Sequence, residues 1–234
     1  MIDRRSPSPG SIRSLKEVPL FTGLSEPSLS VLGKGSRRLQ LPKGIFLFFQ
    51  DDPADSVYVV LSGSVTIMLS SEDGRNLVIN EMRAGDVFGE LGLITGRPRT
   101  TSALTHETTD LVVIPGASFL EILHKEGCLA RRLLTMLAAR LEGSSERESA
   151  LAFLDAPARL GRTLLQLDKQ TGSKGYVTIS QDELAGRTGL TRQTVARFLG
   201  QWRRSGWLLT GRGRIMLLNH DALKSVTVSD YPGR

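Results

Sequence analysis

Glu90 and Arg99 are the first residues in this 234-residue chain whose types and spacing suggest chemistry. They fall in a stretch that reads Ala84-Gly85-Asp86-Val87-Phe88-Gly89-Glu90-Leu91-Gly92-Leu93-Ile94-Thr95-Gly96-Arg97-Pro98-Arg99, followed by the hydroxyl residues Thr100, Thr101 and Ser102. A guanidinium grips a phosphate through two parallel charge-assisted hydrogen bonds. A carboxylate accepts from a sugar hydroxyl, and Gly89 admits a close approach that a Cβ would block. Together these residues suit a cradle for a small sugar phosphate. The plainer alternative is a hairpin with a surface ion pair, because Gly-Glu and Pro-Arg pairs are common.

A second group of chemically capable residues lies between Thr178 and Trp202. Ser180 with Glu183 three residues later forms a capping box, Gly189 permits a tight turn, and Thr191 caps the helix that follows. This is the pattern of a helix-turn-helix. In its second helix Val195, Phe198, Leu199 and Trp202 recur at helical spacing and are expected to be buried. That leaves Arg192, Gln193, Thr194 and Arg197 outward, near the amino end where a recognition helix meets base edges. Arg192 and Arg197 suit guanine O6 and N7, and Gln193 suits adenine. Arg203 and Arg204 read as a solvated face or as phosphate contacts. Trp207–Thr210 and Ile215–Leu218 read as a two-stranded wing, with Arg212 at its basic tip placed to touch phosphate.

Charge supports two parts with different partners. Residues 155–234 hold 13 Lys and Arg against 6 Asp and Glu, whereas residues 1–154 hold 17 against 18. A basic domain joined to a neutral one is the electrostatic pattern of a chain that binds nucleic acid with one end only. The single cysteine, Cys128, excludes an internal disulfide and a cysteine-rich metal or iron–sulfur site. His106, His124 and His220 have no ligand-like spacing, so neither metal nor haem is expected. No apolar run approaches the ~20 residues of a membrane span, and Met1–Gly10 has charge without an apolar core. A soluble, cytoplasmic protein is the expectation, with no membrane partner.

The elements that must position these groups follow from the hydrophobic texture. Residues 1–13, rich in Ser, Pro and Arg, read as a disordered tail. A short helix over Ile12–Leu20 and another from Glu26 to Leu32, capped by Ser25, come next. From Arg38 to Ile114 short β-branched runs (Ile45–Phe49, Val57–Leu61, Ser64–Leu69, Leu77–Met82, Asp110–Ile114) alternate with Gly- and Asp-bearing turns, which argues for a β-sandwich or roll. Val57–Leu61 and Ser64–Leu69 read as adjacent strands of one hairpin. Ala117–Leu154 is helical with a break near Gly127, and its stripe of Leu129, Leu133, Met136, Leu137, Leu141, Leu151 and Leu154 is longer than capping a sheet requires. Its length favours pairing with a second copy. Gly143-Ser144-Ser145 interrupts the stripe, and Asp155-Ala156-Pro157 reads as a hinge.

Taken together, the order of elements resembles the CRP/FNR family of bacterial transcription regulators, typified by the cyclic-AMP receptor protein or catabolite activator, from about Leu15 to Leu223. The residues that carry the resemblance are Phe88-Gly89-Glu90-Leu91-Gly92-Leu93, Ala152-Phe153-Leu154-Asp155 and Thr191-Arg192-Gln193-Thr194-Val195. It implies an α+β fold: a cyclic-nucleotide-binding β-roll over 14–125, a dimerisation helix over 126–154, a hinge at 155–157 and a winged helix-turn-helix over 158–234. Gly89, Glu90 and Leu91 would then form the cassette at the ribose, with Arg99 and Thr100 at the cyclic phosphate. Asn80 would lie on the sugar-phosphate side, Arg140 would approach from the long helix, Ser144 would face the base and Ser145 would do so from a second subunit. Cyclic AMP as effector is implied, with cyclic GMP an alternative because threonine follows the cassette arginine. Double-stranded DNA, a second copy of the chain and RNA polymerase are the implied partners, and the chain is not expected to be an enzyme. Glu90 and His106 form an acid–base pair only on paper, since no nucleophile or metal cluster accompanies them.

This chain has Gln193 where the activator reads its half-site with glutamate. Glutamate accepts from cytosine whereas an amide also donates, so the preferred half-site differs at that pair by about 1–3 kcal/mol of discrimination. Selection of bound oligonucleotides is expected to return a half-site distinct from the activator's own; recovery of the activator's half-site would contradict this.

Overall fold

Two adjoining apolar runs, Val57–Val60 and Leu111–Ile114, show why the first part of the chain folds as it does. In the computed structural model, which describes residues 15–71 and 76–227, both runs are buried on both faces. They belong to β3 (Ser56–Ser62) and β8 (Thr109–Pro115), paired antiparallel with Val59 opposite Val112. Tyr58, Val60, Leu111 and Val113 point between two sheets, into a core shared with Phe48, Val65, Ile67, Met82, Phe88 and Ala103. Val57, Val59, Val112 and Ile114 point the other way, into a second core built with Leu15, Phe21, Leu32, Phe119, Ile122, Leu129 and Leu133. A strand covered by a sheet on one side and helices on the other loses the alternation of a half-exposed strand.

The first sheet has the order β1-β8-β3-β6 and the second β2-β7-β4-β5. Here β1 is Arg37–Leu41, β2 Phe46–Phe48, β4 Ser64–Ser70, β5 Asn76–Arg83, β6 Val87–Phe88 and β7 Ser102–Thr105. The hairpin expected between β3 and β4 does not form. The two strands fall in different sheets, because β3 is already flanked by β8 and β6, and the turn at Gly63 carries the chain across. Of the helix expected over Ile12–Leu20, Leu15 and Lys16 are helical and the chain then turns into a 3-10 turn at Pro19–Phe21; residues 12–14 and the expected tail lie outside the described residues. Helix α1 (Glu26–Gly33) is capped by Ser25, which accepts from Ser28 N–H. The cassette turn is α2 (Glu90–Thr95), followed later by α3 (Gly116–Lys125). The long helix is α4 (Gly127–Phe153), broken from α3 at Glu126.

Packing divides the chain into two units near Arg140, within α4. In the second, the non-helical Leu154 and Asp155 come just ahead of Pro157. It occupies the first turn of α5 (Ala156–Gln170), where its missing N–H has no helical partner to lose, and Asp155 caps that helix by accepting from Ala158 N–H. The core joins Leu160 and Leu164 of α5 to Leu184 of α6 (Gln181–Thr188) and to Val195, Leu199 and Trp202 of α7 (Arg192–Arg204). Ser180 caps α6, Gly189 ends it in the left-handed region at φ 64°, and Thr191 caps α7. The wing has three strands rather than two, in the order β10-β11-β9. Tyr176–Thr178 (β9) adds to Leu208–Gly211 (β10) and Arg214–Leu217 (β11) before the short α8 (His220–Ser225).

Candidate functional site

Gly89 holds the turn between β6 and α2 in the left-handed region, at φ 84°. A Cβ there would lie 2.8 Å from Arg99 Nη1 and 3.2 Å from a Tyr58 ring carbon. The glycine therefore makes room for a buried guanidinium of the chain itself. Arg99 is 3% exposed. Its Nη1 donates to Gly89 O at 2.7 Å and its Nη2 to Ser56 O at 2.9 Å, with Asp55 Oδ1 at 3.5 Å. The guanidinium carbon lies 4.4 Å from the Phe48 ring centroid and 5.6 Å from that of Tyr58. Its backbone is clamped as well, Arg99 N–H donating to Asp52 O and Asp51 N–H to Arg99 O, each at 2.9 Å. Nε is buried and, among the described residues, has no hydrogen-bond partner. A buried charged donor left unmade is costly, and this one belongs to a side chain whose geometry suits phosphate.

Glu90, the first residue of α2, is 1% exposed. Its Oε1 accepts from Arg140 Nη1 at 2.9 Å, and Arg140 Nη2 also donates to Val87 O. Burial pushes the Glu90 carboxyl above the ordinary carboxylate range; Arg140, a backbone N–H and, last, Arg99 pull it back without cancelling the effect. The structure thus brings together Gly89, Glu90, Arg99 and Arg140. Thr100 and Leu91 are exposed at the rim. Asn80 lies on β5 with its Oδ1 accepting from Glu81 N–H, and among the described residues no hydrogen bond joins it to Glu90 or Arg99. Ser144 and Ser145, farther along α4, bond within the helix, to Glu148 and to Leu141 O. Sequence reasoning missed Phe48, Tyr58 and the Ser56 and Gly89 carbonyls; ring faces and backbone oxygens reached across a fold leave no spacing to read.

In the second unit α7 presents Arg192, Gln193 and Arg197 to solvent. Arg192 Nε sits 3.6 Å from Asp182 Oδ1 with both side chains more than half exposed. Thr191 and Thr194 share a hydroxyl contact of 2.8 Å at the cap. Phe198, expected to be buried, is only partly so, and Arg197 lies over its ring at 4.8 Å. Arg212 is exposed at the wing tip. Among the described residues no group of three or more His, Cys, Asp or Glu could hold a metal ion, and no helix is long and apolar enough to cross a membrane.

Comparison with known proteins meets this geometry at both ends. The cyclic nucleotide-binding domain family matches residues 38–126, and the Crp-like helix-turn-helix domain family matches residues 158–226. The chain is 29% identical over 200 residues to a Mycobacterium tuberculosis protein named CRP-like cAMP-activated global transcriptional regulator, covering 83% of this chain and 89% of that one. It is 29% identical over 164 residues to the cAMP-activated global transcriptional regulator CRP of Salmonella typhimurium, covering 68% and 78%. A solved structure of the c-di-GMP responsive global regulator CLP of Xanthomonas campestris aligns with a TM-score of 0.74 at 28% identity, over 82% of this chain and 99% of that one. The chain belongs to the CRP/FNR family: it is a DNA-binding transcription regulator with a cyclic nucleotide-binding domain.

The Glu90 carboxyl has a pH consequence. A carboxyl whose native pKa exceeds its unfolded value, about 4.3, contributes stability that is full at lower pH and is lost as pH rises through the native pKa. Glu90→Gln is expected to flatten the fall in thermal midpoint of the ligand-free chain from pH 4 upward; a fall as steep as in the wild type would contradict this.

Proposed function

We propose that the chain is a homodimeric regulator whose DNA binding responds to cyclic AMP held in the β-roll. The observation that carries this reading is the buried Arg99 with Nε unpartnered, beside a Glu90 already engaged by the long helix through Arg140. Arg99 and Thr100 take the cyclic phosphate, and Gly89, Glu90 and Leu91 the ribose edge. Glu90 keeps Oε2 to accept a ribose hydroxyl while Oε1 holds Arg140. Asn80 is assigned to the sugar-phosphate side, Ser144 to the base, and Ser145 to the base bound by the other subunit. A cyclic AMP-activated name on two relatives supports this ligand. Thr100, and the c-di-GMP responsive name of the Xanthomonas structure, favour a guanine cyclic nucleotide as the second reading.

Leu134 and Leu141, seven residues apart on α4, are 67% and 69% exposed. An apolar seam left open on one face of a long helix is what a second copy of that helix covers. The ligand binds one arrangement of the dimer better than the other and shifts the population toward it. In that arrangement the two α7 helices, with Arg192, Gln193, Thr194 and Arg197 outward, meet half-sites about 34 Å apart. Thr191 at the helix cap and Arg212 at the wing tip contact phosphate, which fixes register. RNA polymerase is the partner such a regulator acts through, in the cytoplasm.

The test is fluorescence anisotropy of a labelled promoter duplex, at fixed salt because phosphate contacts make affinity steeply salt-dependent. Cyclic AMP, cyclic GMP and cyclic di-GMP are added in separate titrations. Tightening of DNA binding by cyclic AMP at least tenfold more than by either guanine nucleotide is the expected result. Equal affinity with and without all three would contradict ligand control, and a larger effect of either guanine nucleotide would move the assignment to it.

A further inference from the structure

Among the described residues, Arg99 is a buried cation with no buried carboxylate hydrogen-bonded to it. Among the described residues the carboxylate within salt-bridge distance is Asp55, at 3.5 Å, and the Asp55 side chain is 80% exposed where that of Arg99 is 2% exposed. Glu90, the buried carboxylate nearby, is engaged by Arg140 at 2.9 Å. The guanidinium's shorter contacts are neutral, two backbone oxygens at 2.7 and 2.9 Å and the face of the Phe48 ring, with the exposed Asp55 carboxylate farther off at 3.5 Å. Carbonyl dipoles and an aromatic quadrupole attract a cation without adding a negative charge. A carboxylate in the same place would add one.

The way Phe48 reaches this position is specific. The pairing of β2 with β7 shifts register between Phe46 and Phe48. Such an irregularity re-aims the side chains around it. Phe46 and Phe49 remain outside, 39% and 53% exposed, and stack on one another at 4.4 Å. Phe48 turns in, 8% exposed, and packs at 5.4 Å from Tyr58 and 6.2 Å from Phe88, with Tyr58 and Phe88 stacked at 5.2 Å. The three rings form a floor, and the guanidinium lies over the ring of Phe48.

We propose that Phe48 is a positioning residue for the ligand site: its ring holds Arg99 inside the roll without adding a negative charge of its own, so that the guanidinium stays available to an anionic ligand. This rests on reading the roll as a cyclic-nucleotide site. Phe48 touches no ligand atom itself and acts through Arg99. The effect therefore falls on the part of the affinity that depends on ligand charge, and not on the nucleoside.

The test uses the full chain and two probes, cyclic AMP and uncharged adenosine, whose dissociation constants are measured by calorimetry and by displacement. Phe48→Leu keeps an apolar side chain and removes the ring. Phe48→Tyr keeps the ring. The expected result is that Phe48→Leu lowers the preference for cyclic AMP over adenosine by about two- to thirty-fold, that Phe48→Tyr stays within about twofold of the wild type, and that adenosine affinity is the same in all three. A Phe48→Leu chain that loses affinity for both probes equally, or for neither, overturns the proposal. A wild-type chain that does not distinguish cyclic AMP from adenosine overturns the anion-site reading itself, and the proposal with it. Phe48→Tyr separates these outcomes from misfolding, because it preserves the volume and the ring together.

Discussion

A guanidinium placed inside an apolar β-roll faces a desolvation cost of several kcal/mol, and the manner in which Arg99 meets that cost governs the region around it. Two carbonyls, of Gly89 and Ser56, must lie in hydrogen-bond range, which requires β3 and the cassette turn to approach each other closely. The turn must pass without a Cβ, so position 89 is glycine in the left-handed region. The Asp51–Asp52 loop must close on the Arg99 backbone. Each of these is a constraint from a distant part of the chain, and together they fix a side chain that is otherwise among the most flexible.

Glu90 ties this arrangement to α4. A carboxylate buried this deeply needs a partner, and removing one member of a buried pair costs on the order of 3–5 kcal/mol. Arg140 supplies the partner and spends a second donor on Val87 O. The same helix carries Leu129 and Leu133 into the core of the first unit, so its amino-terminal half is part of the roll's own packing. Coupling between sites needs a physically connected element that a ligand biases. Under the proposed function, a ligand reaching for Glu90 meets a residue that already holds α4, and the regulatory signal begins at that contact.

Much of this was legible because local chemistry announces itself. Ser25, Ser180 and Thr191 each cap the helix their position suggests, and the buried face of Val195, Leu199 and Trp202 follows from helical spacing alone. The apolar runs of β3 and β8 were visible as strands, yet their sheet membership was not, since a run buried on both faces carries no alternation to say which neighbour it pairs with. Strand β1, with Arg37, Arg38 and Gln40 outward at a sheet edge, and the two-residue β6 lacked a strand-like texture. At the candidate site Glu90, Arg99 and Arg140 could be named from the sequence. Their partners could not, because backbone oxygens and a ring turned inward by a register shift are products of the fold.

The most direct test of the central role given to Arg99 is a calorimetric titration of the full chain with cyclic AMP, set beside the same titration of Arg99→Gln. Saturable binding by the wild type that is lost, or weakened at least a hundredfold, in the variant is the result predicted. Equal affinity in the two chains would contradict it.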